Sequence, residues 1–240
     1  MTPGFIHLRV HSEYSLINGI VRLKPLVKAA AAAGMPAVAV TDQSNLFAMV
    51  KFYRAAMAAG VKPIIGVDVW LHNDADANQP TRLVLLCQNR VGYLNLTRLI
   101  SRSYIEGQQR GVPTVRKDWL QGASDGLIAL SGGRGGDIGQ ALLAGNRVLA
   151  ERVLAEWLVL FPDRFYLELH RTGREQEEEY LYAAVDLAQA VTHAMAMLAP
   201  DIRARRATVD IDVTAPPVRA EPTILAQVVC NLLSNAIKFT

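Results

Sequence analysis

Apolar positions along this chain alternate between short unbroken runs and longer stretches with a helical period of about 3.6 residues. Runs at Phe5–Arg9, Ala37–Thr41, Pro63–Leu71, Arg82–Gln88, Gly126–Ser131 and Arg164–His170 are rich in Val, Ile and Leu, which predicts strands buried on both faces. Between them the helical period predicts helices at Leu23–Ala33, Asn45–Ala59, Val91–Glu106, Ile138–Ala144, Arg147–Phe161 and Glu175–Ala190. Gly34, Gly60 and Gly145 follow three helical runs, where glycine takes the left-handed cap conformation. This alternation predicts an α/β fold on a parallel sheet, open or closed into a barrel. Six strands fall before residue 190, about one or two short of closure.

The rhythm changes after Ala190. Residues 191–207 read as a helix ended or interrupted near Pro200, followed by an alternating strand at Thr208–Val213. A turn at Pro216-Pro217 and a last helix opening at Glu221-Pro222 complete a short α+β pattern that does not continue the preceding one.

Composition narrows the class. Of 240 residues, 51% are apolar and 20% charged, which is globular and not disordered. The net charge of +3 is too mild to point to nucleic acid. Cys87 and Cys230 each sit inside an apolar run, as small core residues do, and suggest no disulfide framework. The start of the chain lacks a signal-peptide pattern and no run is long enough to span a bilayer. A cytoplasmic protein with no membrane partner is expected.

The run HLRVHSEYSLINGIVRLKPLVKAAAAAGMPAVAVTDQSNLFAMVKFYRAAMAAGVKPIIGVDV carries a resemblance, together with YLNLTRLISRSY, DGLIALSGGRGGDIG and DRFYLELHRTGR. In order and spacing they resemble the N-terminal region of bacterial DNA polymerase III alpha subunits, across about residues 1–190. That region is the family's polymerase-and-histidinol-phosphatase (PHP) domain, a distorted β/α barrel. The resemblance implies an incomplete PHP-type barrel, truncated at its C-terminal end. It also implies a role in DNA replication, with template-directed nucleotidyl transfer as the activity of the whole subunit. The polymerase carboxylates lie far downstream of this segment in that family, so the segment itself is expected to carry no catalytic residue. The PHP domain there is a scaffold and a docking surface for the proofreading exonuclease subunit. The partners implied are that exonuclease and the other polymerase III subunits, with DNA contacted only through the full-length parent.

Active PHP barrels hold divalent metals on histidines and carboxylates at strand ends, where the metal activates water against a phosphate ester. Set against that pattern, the His-x-His opening stands here as Arg9-Val10-His11 and the Asp-His pair as Asp42-Gln43. Asp68 replaces a glutamate and Arg82 a histidine; Glu168 is retained, and Thr172 stands at a histidine position. The family's last motif does not follow residue 190. A permanently charged guanidinium repels a cation, so Arg9 and Arg82 are expected to pair with Asp42 or Asp68, giving an inert site with no bound metal or cofactor. The competing reading is a residual metal-dependent phosphoesterase using His11, Asp42, Asp68 and Glu168.

Other groups have plainer readings. His7, His11 and His170 are expected to be structural, and His72 and His193 to lack convergent partners. Ser131–Asp137 lacks the Lys-Ser/Thr of a phosphate loop and reads as a turn with Asp137 capping the next helix. Glu175–Glu179 and Arg203–Arg206 read as solvated helix faces.

Residues 191–240 resemble a different family. The stretch LAPDIRARRATVDIDVTAPPVRAEPTILAQVVCNLLSNAIKFT resembles the start of the Bergerat-type ATP-binding domain of sensor histidine kinases. Its N-box sets Gln227, Asn231, Asn235 and Lys238 on one helical stripe. The resemblance implies that Asn231 and Asn235 face Mg and phosphate and that Lys238 meets a phosphate. That family's adenine box and glycine-rich lid do not follow before Thr240, so Mg-ATP is expected only if the fragment is completed. The chain thus reads as a chimera, a PHP domain at 1–190 joined near residues 189–195 to a kinase fragment at 191–240.

Overall fold

A computed structural model describes residues 5–74, 76 and 78–204, with residues 192–204 described by their backbone alone. The expected strand at Thr208–Val213, the N-box, Cys230 and Arg205 and Arg206 lie outside the described residues, as do the side chains of His193 and Arg203.

Among the described residues six α-helices form where the helical period is strongest: α1 (Leu23–Ala32), α2 (Met49–Ala58), α3 (Arg90–Ile105), α4 (Asp137–Leu143), α5 (Arg147–Leu160) and α6 (Glu177–Ala204). Asn89 and Asn146 cap α3 and α5, their side-chain oxygens accepting from Gly92 N–H and Leu149 N–H. Gly34, Gly60 and Gly145 stand just past α1, α2 and α4 with φ near +70°, the left-handed turn that a Cβ would disfavour. α2 starts four residues later than expected because Asn45 forms a turn, its Oδ1 accepting from Phe47 N–H at 3.0 Å. α6 passes through both Ala190 and Pro200 without interruption and is described as far as Ala204.

Among the described residues the sheet has seven strands: β1 (Ala37–Gln43), β2 (Lys62–Leu71), β3 (Thr81–Cys87), β4 (Gln108–Gln109), β5 (Val112–Val115), β6 (Leu127–Leu130) and β7 (Phe165–Tyr166). Its order is β4-β5-β2-β3-β6-β7, with β1 also pairing β2. The expectation of a wholly parallel sheet is corrected: β2 pairs antiparallel with β3, and β3 with β6. Residues 72–80, between β2 and β3, are too few for the crossover helix that a parallel pair requires. The predicted first strand is an extended segment beside β1, bonded through Ala39 N–H to His7 O and Thr41 N–H to Val10 O. The predicted Arg164–His170 strand shortens to Phe165–Tyr166.

Period-two alternation divides the core. Leu83 and Leu85 of β3 face a cluster built with Leu96, Ile138, Leu154, Trp157 and Leu187 from α3 to α6. Val84 and Leu86 face the other way, onto Ala39, Ile128 and Leu130. A third cluster joins α1 and α2 to β1 through Val27, Phe52, Ala56 and Val38. Cys87 packs against the first cluster, and burial pushes its thiol up to about 12, so it behaves as a core residue.

Candidate functional site

The C-terminal ends of β1, β2, β6 and β7 and the N-terminal end of β3 lie at one end of the sheet, as the pairing directions require. Asp68, on β2, is the centre of what gathers there, with its side chain fully buried. Arg9, from the extended N-terminal segment, donates to Asp68 Oδ2 from Nε at 2.9 Å and Nη2 at 2.6 Å. Arg82, near the start of β3, donates to Oδ1 at 3.1 Å and Oδ2 at 2.6 Å. His11 Nε2 lies 2.9 Å from Oδ2.

Arg9 also reaches Glu168, its Nη1 donating to both carboxylate oxygens at 3.1 and 3.0 Å. Thus one guanidinium joins two carboxylates that are 100 positions apart in sequence, a separation read directly from 68 and 168. Glu168 meets His170 Nε2 at 2.7 Å, and its backbone N–H donates to Ser131 Oγ at 2.9 Å. Gln43 donates from Nε2 to the Asp68 carbonyl at 2.8 Å and accepts from Arg82 Nη2. The Arg82 guanidinium lies 4.8 Å from the Trp70 ring centroid, a cation–π contact from β2.

Burial alone would raise both carboxyls. His11, Arg9 and Arg82 outweigh it at Asp68, and His170 and Arg9 outweigh it at Glu168, so each sits below its ordinary value. Burial likewise disfavours the charge on Arg9, but Glu168 and Asp68 more than restore it and hold Arg9 above its usual value.

Arg9, His11, Gln43, Asp68, Arg82 and Glu168 therefore meet in one hydrogen-bonded set. Two other expected positions do not. Asp42 turns away, its Oδ1 accepting from Ser12 N–H at 2.6 Å and Ser15 Oγ at 2.7 Å and its Oδ2 from Ser12 Oγ at 2.7 Å. Pairing of an arginine with Asp42 is thus corrected: two serine hydroxyls and an amide saturate that carboxylate. Thr172 donates instead to Glu177, from Oγ1 at 2.7 Å and from N–H at 2.6 Å. Glu177 is therefore a buried anchor and not part of a solvated face. Burial would raise its carboxyl, but Thr172 and the Arg174 amide bring it down to about 2.

His170 is a member of the cluster that residue-by-residue reading had set apart, although its spacing of two from Glu168 along an extended segment was visible. His72 has partners after all, Gln109 Nε2 at 2.8 Å and Asp74 Oδ1 at 3.2 Å, away from the cluster. His7 packs edge-on against Phe5 at 4.7 Å. The Ser131–Asp137 turn folds over Arg82: a Cβ on Gly132 would meet the Arg82 carbonyl at 2.3 Å, and one on Gly133 the His170 ring at 2.8 Å. Asp137 is the first residue of α4, not its cap. Its oxygens accept from Ile138 N–H and Trp157 Nε1.

The sequence profile of the PHP domain matches residues 7–172, and the chain belongs to the PHP domain family. Over 188 residues it is 54% identical to the DNA polymerase III subunit alpha of Pseudomonas aeruginosa and 52% identical to that of Escherichia coli K12. Over 187 residues it is 50% identical to the subunit of Vibrio cholerae. Each alignment covers 78% of this chain and 16% of the relative, so the chain spans about one sixth of the length of those subunits. A Bifidobacterium adolescentis structure, provisionally described as a metal-dependent phosphoesterase, aligns at 12% identity with a TM-score of 0.49. It covers 76% of this chain and 83% of that one. Among the described residues no helix is long and apolar enough to cross a membrane.

Proposed function

We propose that this chain is the PHP module of a replicative DNA polymerase III alpha subunit, acting in DNA replication as a non-catalytic scaffold. The observation that carries the reading is the pair of guanidiniums at Asp68 and Glu168. A metal centre needs carboxylate lone pairs free for the cation. Here Asp68 takes donors from Arg9, Arg82 and His11, and Glu168 from Arg9 and His170. A divalent cation ~4 Å from one such guanidinium meets a repulsion of about 8 kcal/mol at an effective dielectric near 20. Two arginines thus supply the positive charge that a metal would otherwise bring, and no cofactor is required. The likeness to three alpha subunits supports the polymerase setting, and the proofreading exonuclease is the partner we assign to the module.

Elemental analysis of the purified chain tests this. Less than one Zn, Mn or Fe per chain and no hydrolysis of a simple phosphodiester are expected. Two or more tightly held metals would transfer the assignment to a residual phosphoesterase, for which Asp42 is already committed to Ser12 and Ser15. Binding of the proofreading exonuclease to the immobilised chain tests the docking role separately. For residues 191–240 the kinase-derived origin remains our proposal, supported by the N-box spacing of Gln227, Asn231, Asn235 and Lys238. Calorimetry with Mg-ATP is expected to give no saturable isotherm.

A further inference from the structure

The end of the molecule built by α1 and α2 presents an apolar surface with a basic border. The segment after Ser15 is pinned from beneath. Ser15 Oγ donates to Asp42 at 2.7 Å and accepts from Gln43 N–H at 3.0 Å, and Asn45 Nδ2 donates to the Tyr14 carbonyl at 3.0 Å. That anchoring projects the next side chains outward: Ile17 is 94% and Ile20 95% exposed, with Leu16 at 79%. Asn45, which holds the Tyr14 carbonyl, also accepts from Phe47 N–H, and Phe47 is 67% exposed, with Val50 and Tyr53 of α2 exposed as well. Scattered exposed apolar residues need no explanation, but a contiguous group rimmed by charge marks an interaction surface.

The rim is mostly basic, although Glu13 is exposed near Lys51. Arg22, Lys24 and Lys28 on and beside α1, with Lys51 and Arg54 on α2, are all exposed. Glu13 and Asp42 are the only acids between Phe5 and Lys62, and Asp42 is buried beneath Ser12 and Ser15. We propose that this face docks an acidic amphipathic helix of a partner protein. The apolar stripe of that helix covers Ile17, Ile20 and Phe47, and its carboxylates meet Lys24, Lys28 and Arg54. Projecting branched aliphatics suit a helix laid across them. A single-stranded nucleic acid would instead call for a series of aromatic stacking platforms. The inference deepens the docking role proposed above and rests on it for the partner's being a protein.

A labelled helical peptide, with leucines on one face and glutamates on the other, titrated against the whole chain tests it by fluorescence anisotropy. Saturable binding is expected. It should weaken by about tenfold or more in the Ile17→Asp/Phe47→Asp double variant and in Lys24→Glu/Lys28→Glu, and fall with added salt. These side chains are exposed, so the variants should unfold at the wild-type temperature, which separates lost binding from lost folding. No saturable binding overturns the proposal. So does binding indifferent to these variants, tighter binding of oligothymidylate, or self-association of the chain that the same variants abolish. Exonuclease binding equal in wild type and variants sinks the face while sparing the docking role. Peptide binding without exonuclease binding does the reverse.

Discussion

Asp68 is the single residue on which the site depends. Its buried carboxylate holds two guanidiniums and an imidazole that are themselves mostly shielded, at 16–21% side-chain exposure. Removing one partner of a buried ion pair leaves the others desolvated and unpaired, a loss of about 3–5 kcal/mol. Asp68→Asn is therefore expected to destabilise the chain by that order in urea titration. Asp137 is the contrasting case. Burial raises its carboxyl despite Lys117 and the Trp157 N–H, so its ionised form is a liability in the fold. Asp137→Asn keeps an oxygen for Trp157 Nε1 and should cost about 1 kcal/mol or less in the same assay. Acid titration follows from the same directions. Asp68 and Glu168 lie below their ordinary 3.8 and 4.5 in the folded chain. Their contribution is fully present above about pH 4.5 and is lost as pH falls through the depressed values. Stability followed by denaturant melts should hold flat above that point on their account and fall steeply below it. A profile that instead rose on acidification would contradict the network.

At the scale of single elements, the turn after β6 shows what glycine does here. Gly132 and Gly34 share a positive φ, +75° and +68°, but a Cβ at Gly34 meets nothing within 4 Å, whereas one at Gly132 meets the Arg82 carbonyl. Gly34→Ala should cost about 1 kcal/mol for the conformation alone. Gly132→Ala should cost clearly more, because Arg82 must shift from Asp68; equal losses in thermal melts would show that the turn does not support the arginine. The same contrast explains what was legible in the sequence. Helical periods placed α1, α3 and α5 nearly to the residue, because that signal is local. The β4–β5 hairpin was missed: Arg110-Gly111 forms its two-residue turn with φ of +50° and +81°, but the strands are short and Pro113 lies within one of them. Strand direction was misread because apolar runs report burial, whereas the short 72–80 connection reports direction. Family position pointed to Arg9, Asp68 and Arg82 as a group. That Asp42 would be taken by Ser12 and Ser15 depends on the fold of residues 12–15, which no spacing announces.

Across the whole molecule, long-range ties are few in kind but far-reaching. Arg9 joins the N-terminal segment to β2 and to the stretch beyond β7 in one hydrogen-bonded set. α6 carries the backbone past Ala190 as one helix, and Ala184 and Leu187 are buried in its preceding turns. The two main cores, between α1–α2 and β1 and between α3–α6 and the sheet, are held by their own apolar contacts. The N-terminal segment has less of its own. It is partly exposed through Val10 and bonded to β1 by two backbone hydrogen bonds, from Ala39 N–H and Thr41 N–H. Its attachment should thus depend on Arg9 more than either core does. Arg9→Met keeps an unbranched stem and removes the guanidinium, leaving Asp68 with Arg82 and His11 and Glu168 with His170. In native-state hydrogen exchange the amides of Ala39 and Thr41 should open with a lower free energy than in wild type. Amides of α3 and α5, which pack around Leu96 and Trp157, should lose only what global stability loses. Uniform loss of protection across β1, α3 and α5 would mean that the arginine supports the entire fold at once, and that the N-terminal segment is not a separable unit.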